Sequence, residues 1–170
     1  MSKHVKMNIE TNIQDTQQDL FTEQEVFAYE QASVGQRFLN YLLDGLLMQY
    51  GLSYITTTLI AKVMLAISPQ TAYEWFVERS NSIDVLASFY LVSILNFVIY
   101  YTICEKAFKG KTLGKLITGT KAIRDDGLEL SFRNAFLRSV SRIVPFEPFS
   151  AFGGYPWHDS WTKTMVIKTR

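Results

Sequence analysis

The chain has 170 residues, a length suited to one domain, and its 17 basic and 16 acidic side chains leave a formal net charge of only +1. That balance argues against a nucleic-acid partner drawn in by an overall positive field. A single cysteine, Cys104, excludes an internal disulfide and any multi-cysteine metal site, and near-neutral mean hydropathy conceals very apolar stretches that alternate with very polar ones.

Met1 to Gln36 is polar, carries six carboxylates and lacks the apolar core of a secretory signal, so the first membrane helix is expected to target the chain. Residues 1–36 read as a cytoplasmic N-terminal segment. Within it Val5, Met7, Ile9, Thr11 and Ile13 alternate with polar residues at the period of a half-buried strand. From Phe38 to Ile67 the only charged side chains are Asp44 and Lys62. A helix over about 38–67 would exceed a ~30 Å hydrocarbon core at ~1.5 Å per residue, so tilt or protruding ends are expected, with Lys62 snorkelling outward. Ser68 to Ser82 forms the connector, with Pro69 as a breaker and Tyr73, Trp75 and Phe76 suited to the membrane interface.

Ile83 to Ala107, uncharged between Asp84 and Glu105, is the second span. The connector before it holds one base, Arg79, whereas Lys106, Lys109, Lys111, Lys115, Lys121, Arg124, Arg133, Arg138 and Arg142 follow it. By the positive-inside rule the basic segment, residues 108–170, is cytoplasmic, and with two crossings both termini are too.

Around Asp126-Gly127, a tight-turn dipeptide, Thr118 to Arg124 and Leu128 to Phe132 form the expected arms of a hairpin, and Thr164 to Thr169 is β-prone. Isolated, each strand would be marginal, so they and the N-terminal strand are expected to combine into one small sheet. Phe132, Ala135, Phe136, Val140 and Ile143 fall at helical spacing while Arg133, Arg138 and Arg142 occupy much of the remaining surface. This amphipathic helix either lies at the inner leaflet and offers arginines to lipid phosphates, or folds onto the spans. Pro145 and Pro148 then break the pattern, and Gly153-Gly154 permits a sharp change of direction. The expected fold over residues 37–170 is a mainly α membrane protein: a two-span transmembrane helical hairpin with an amphipathic inner-leaflet helix and a small cytoplasmic β-layer.

Asp44 stands out, because a carboxylate inside an apolar span costs ~3 kcal/mol unless paired, neutralised or hydrated. Arg37 lies seven positions earlier on the same helical face, with Asn40 between, but ~10 Å away along the axis. The compensating base is therefore expected to be Arg37 or one from the returning basic segment, foremost Arg138. Asn96 shares a face with Ser93 and Tyr100 on the second span and is positioned to meet this polar strip. Asp44 reads either as an interhelical lock or as a proton or cation site. Arg37 reads as a snorkelling anchor or a member of the cluster, and Asp159 as a helix cap or a base's partner.

Gly110-Lys111-Thr112 ends like a phosphate-binding loop, but the position of that motif's first glycine holds Glu105. His4 and His158 lack metal-ligand neighbours, and His158-Asp159 has no local nucleophile. No enzymatic activity, cofactor or metal is expected.

The chain resembles the RDD family of membrane proteins, named for an arginine and two aspartates. The resemblance rests on Ala32-Ser33-Val34-Gly35-Gln36-Arg37-Phe38 leading to Tyr41-Leu42-Leu43-Asp44, on Gly110-Lys111-Thr112-Leu113-Gly114-Lys115 with Gly119, Asp126-Gly127 and Leu137-Arg138, and on Trp157-His158-Asp159 with Thr162 to Val166. It implies a bacterial inner-membrane protein in which Arg37, Asp44, Asp159 and Arg138 form one polar cluster at the cytoplasmic mouth of the helix pair. Some members have a third apolar stretch where this chain has only Pro145 to Tyr155. Two functional classes follow. One is a small transporter or transporter subunit for cation/proton exchange using Asp44. The other is a non-transporting adaptor or scaffold whose basic cytoplasmic face binds lipid or a partner protein. Membrane lipids, a second copy or another membrane protein are the expected partners. Single cysteines at Asn81 and Gly127, in a Cys104→Ser background, are expected to react on opposite sides of the membrane; labelling of both from one side would reject the two-span topology.

Overall fold

The computed structural model describes residues 29–150 and 153–169; the strand expected over Val5 to Ile13 lies outside them. Helix α1 (Val34–Leu47) begins at a reciprocal cap, in which Gln36 N donates to Ser33 Oγ and Ser33 N donates to the Gln36 side chain. A π-helical stretch, Met48–Leu52, joins it without interruption to α2 (Ser53–Ile67). The continuous helix Val34–Ile67 has 34 residues, about 50 Å at the usual rise. Its most apolar window is 0% buried, and that of the second long helix, α4 (Ile83–Ala107), only 6%. A soluble protein's core helix would be covered; these two are bare, apolar and long enough to cross a membrane.

Between them Pro69 is a start as well as a stop. Ser68 caps the short α3 (Pro69–Tyr73) by accepting from Thr71 N, and Pro69 sits where a missing N–H costs nothing. Phe76 in the following turn meets Phe89 on α4 at 5.7 Å, and Asn96 Nδ2 donates to Thr56 Oγ1 at 2.9 Å, an interhelical hydrogen bond midway along the pair.

Beyond α4, Thr112 caps α5 (Leu113–Thr118), which packs on α1, and Gly119 closes it at φ 68. Strand β1 (Thr120–Arg124) then pairs antiparallel with β2 (Thr164–Lys168), placing Ala122 opposite Val166. Just before α1, Ala32 N donates to Val166 O and Lys168 N to Glu30 O, so this segment borders the other edge of β2. The expected hairpin is thus corrected. A turn does form, with Gly127 N donating to Arg124 O and Arg124 N to Leu128 O, but Ser131 caps helix α6 (Phe132–Ser141) and ends the second arm. The final strand wins the pairing because it buries Met165, Val166 and Ile167 against Ala32, Ala122, Ile123 and Leu130.

Helix α6 packs chiefly against α4, not away from the spans. Its buried residues are Ala135, Arg138 and Ser139, whereas Phe132, Phe136 and Val140 are exposed. The burial differs from the expected apolar face: Arg138, with Arg142 just beyond the helix, faces protein, whereas Arg133 is exposed along with Phe132, Phe136 and Val140. Helices α7 (Glu147–Ser150) and α8 (Trp157–Thr162) complete the layer.

Gly127 sits at φ 80, so exposed Glu129 is a less strained cysteine-labelling position on the same turn. Replacing Asn96 with leucine removes a hydrogen bond between the spans and should lower stability in detergent by about 0.6 kcal/mol, and no more than ~2, in a thermal or denaturant unfolding series.

Candidate polar site at the head of the helix pair

Three of the four residues expected to cluster meet directly. Arg37, in the first turn and a half of α1, donates from Nη1 to Asp159 Oδ2 at 2.6 Å. Arg138 on α6 donates from Nη1 to Asp159 Oδ1 at 2.5 Å and to Thr164 Oγ1. The α8 carboxylate thereby bridges two guanidinium groups carried on different helices, α1 and α6. Arg37 Nε also donates to Ala32 O at 3.2 Å, fixing the chain where it enters α1.

Asp44 stands apart from these bases, contrary to the expectation that Arg37 or Arg138 would compensate it. Its carboxylate, 1% exposed with the residue as a whole, accepts from Thr112 Oγ1 at 2.6 Å, Tyr100 Oη at 2.8 Å and Gly114 N at 2.8 Å. Three neutral donors from α4 and the head of α5 hold it. Gly114 is required by this geometry, because a Cβ there would lie 2.6 Å from Asn40 O and 3.0 Å from Asp44 Oδ1. Asn96 does not reach Asp44; Tyr100, on the Asn96 face of α4, does, and accepts from Leu113 N in turn.

The centre of the site is a residue the sequence reading passed over. Glu105, fully buried in the last turns of α4, accepts from Lys115 Nζ at 2.7 Å, Arg142 Nη2 at 3.0 Å and Arg138 Nε at 3.0 Å. One signal was available: a carboxylate one turn after Tyr101, ending a run uncharged since Asp84 and followed by a series of bases. Arg142 also lies 4.3 Å from the centre of the Tyr101 ring, a cation–π contact. Among the described residues, the charged side chains buried here comprise four bases (Arg37, Lys115, Arg138 and Arg142) and four acids (Asp44, Glu105, Glu147 and Asp159).

A family model described as the RDD family matches residues 31–164. The chain belongs to the RDD family. No curated protein and no solved structure matches it. Family membership and the two bare apolar helices together make this RDD protein a membrane protein.

Outside the spans of the RDD domain, the network moves its titratable groups in directions that follow from contact. Burial alone would raise the Asp159 carboxyl, but Arg138, His158 and Arg37 outweigh it and hold the group well below the usual carboxylate range. Burial pushes Lys115 down to about 8 against the opposing attraction of Glu105. For Glu147, the hydrogen bond and charge of His158 overcome burial and lower the carboxyl. Burial, and then the charge of Arg142, lower His158 to about 4. The ring is held on both sides: Nδ1 meets Glu147, while Nε2 lies 3.4 Å from Arg142 Nη2 and 3.3 Å from Asp159 Oδ1, whose opposing attraction is outweighed by burial and Arg142. Among the described residues no group of three or more His, Cys, Asp or Glu side chains is placed to hold a metal.

These directions set the acid response. Between its ordinary value near 6.5 and about 4, His158 is protonated in the unfolded chain but not in the folded one, so stability falls as pH falls through that window. Asp159, depressed by its arginines, adds a loss that begins as pH falls through the ordinary carboxylate range. Unfolding of the detergent-solubilised protein should therefore show a loss from pH 7 to pH 4. His158→Gln should remove a part worth on the order of 1–3 kcal/mol between pH 6.5 and 4. An unchanged pH profile in that variant would contradict the assignment.

Proposed function

We propose that this RDD protein is a non-transporting membrane adaptor, and that its polar site both clasps the cytoplasmic layer to the helix pair and receives an anionic group. On this reading the protein sits in a bacterial plasma membrane with both termini and the basic segment on the cytoplasmic side, and it is not an enzyme. One observation carries it: the carboxylates of the site are already bound by protein donors, whereas among the described residues the buried side-chain atoms left without a partner, Arg138 Nη2 and Arg142 Nη1, are both guanidinium donors. A cation exchanger needs a carboxylate that can give up its bound cation and take another. Here a cation at Asp44 would have to displace two hydroxyls and a backbone amide, and at Glu105 or Asp159 it would have to displace arginine or lysine.

The cation/proton exchange reading is tested by ion flux in liposomes. Purified protein should raise Na⁺, K⁺ or H⁺ flux no further than protein-free vesicles at any pH between 6 and 9. Asp44→Asn should lower detergent stability by roughly 2–4 kcal/mol, since the amide offers donors where three donors already converge. Flux that requires Asp44, in a variant that remains folded, would refute the adaptor reading.

A further inference from the structure

A cavity of about 300 Å³ opens beside the clasp, between the first three turns of α1, Tyr101 of α4, and Arg142, Glu147, Pro156 and His158. Its two ends differ in chemistry. On α1, Val34, Phe38 and Tyr41 line it at one helical spacing and are 40%, 55% and 49% exposed, forming an apolar rim on the bare face of the first span. Its base is charged and buried, with Lys115 and Arg142 among the lining residues.

Both of these bases have donor capacity left. Arg142 spends Nη2 on Glu105 and His158, but its Nη1 is buried without a hydrogen-bond partner. Lys115 has three N–H donors and uses two, on Glu105 Oε1 and Gly110 O. The acids lining the cavity are already occupied: Asp44 accepts three hydrogen bonds, and Glu147 accepts from the His158 ring and from His158 N. A buried guanidinium N–H left unpaired is costly, and its natural complement is an oxyanion.

We propose that this cavity is a headgroup site for a phospholipid of the surrounding leaflet. The phosphate accepts from Arg142 Nη1 and the third Lys115 N–H, and the acyl chains leave across Val34, Phe38 and Tyr41. The volume, at the lower end for small-molecule sites, suits a phosphate with its glycerol and not a chain. The apolar rim is what distinguishes a lipid from a soluble phosphate, because an ion arriving from water gains nothing from it. The inference rests on the adaptor reading's finding that the site lacks acceptors and not cations, but it can fail independently.

The experiment uses the full chain in a non-phospholipid detergent, reading bound ligand by native mass spectrometry and melting temperature by tryptophan fluorescence. Three probes are compared: dioleoyl phosphatidylglycerol, dioleoylglycerol with the same chains and no phosphate, and glycerol 3-phosphate with the phosphate and no chains. Only the first should remain bound and raise the melting temperature. Arg142→Gln should weaken its retention about tenfold or more, the scale of one charge-assisted hydrogen bond. Because that change also removes a Glu105 partner, Val34→Trp serves beside it: it crowds the rim, leaves every ion pair intact, and should weaken retention without lowering the melting temperature of lipid-free protein. Equal binding of glycerol 3-phosphate would make this a soluble-phosphate site, equal binding of dioleoylglycerol would make it an apolar groove, and phosphatidylglycerol retention unaffected by Val34→Trp would place the lipid elsewhere; each overturns the proposal. Cation flux accompanied by the expected lipid binding would remove the adaptor reading alone, whereas absence of both flux and lipid binding would remove this inference alone.

Discussion

Glu105 is the interaction on which the rest of the layer beyond the two long helices depends. A carboxylate at the end of an apolar span, with none of its surface open, must be matched where it lies, since several kcal/mol of desolvation per ion is at stake. It is matched three times, by Lys115 on α5, Arg138 on α6 and Arg142 just beyond α6. Arg138 then passes the connection to Asp159 on α8, and Asp159 passes it to Arg37 on α1. Five helices are tied by a chain of ion pairs that begins and ends on the two spans. Removing one member strands its neighbours in a buried setting, which typically costs ~3–5 kcal/mol, far more than the pair's net worth against an apolar replacement. The clasp therefore specifies an arrangement more than it adds stability.

That arrangement explains why Arg138 is buried on α6 while its phenylalanines are exposed. In water an amphipathic helix hides phenylalanine and shows arginine. Beside a membrane, lipid takes the apolar face at no cost, and the scarce resource becomes a partner for buried charge. Ala135 and Ser139 let α6 approach α4 closely, Thr102 and Ser139 hydroxyls meet at 2.8 Å, and Arg138 reaches Glu105 and Asp159 from the same face. Phe132 and Phe136 are left outward, where a bilayer surface would cover them.

The long elements were legible because their signals are long-range averages: two apolar stretches, a charge asymmetry and a 3.6-residue period each sum over many side chains. The spans, α6 and the β-prone end were read from these. What escaped depends on single contacts between distant segments. The Asp126-Gly127 turn is real, but whether β1 pairs with Leu128 or with Met165 is decided by competition for burial, which local sequence does not express. Likewise Arg37, Asp159 and Arg138 could be grouped by type and by resemblance, yet nothing local distinguished Asp44, held by hydroxyls and an amide, from a carboxylate held by a base. Glu105 was treated as the boundary of a span, and its burial follows only from where the bases after it fold back.

The two aspartates thus divide the work by depth and chemistry. Asp159 lies in the layer beyond the two long helices, where guanidinium groups carried on α1 and α6 can reach it, and it joins charge to charge. Asp44 lies two turns further along α1, where a base would itself have to be buried deeper in apolar surroundings. There the nearest inexpensive donors are a tyrosine hydroxyl already on the second span, a threonine hydroxyl and the N–H of a glycine whose missing Cβ lets α5 touch α1. Hydroxyls and amides carry no desolvated counter-charge of their own, so the deeper acid is held at lower cost than an arginine would impose. Gly114 is consequently as specific to this site as either aspartate, although it has no side chain to mark it.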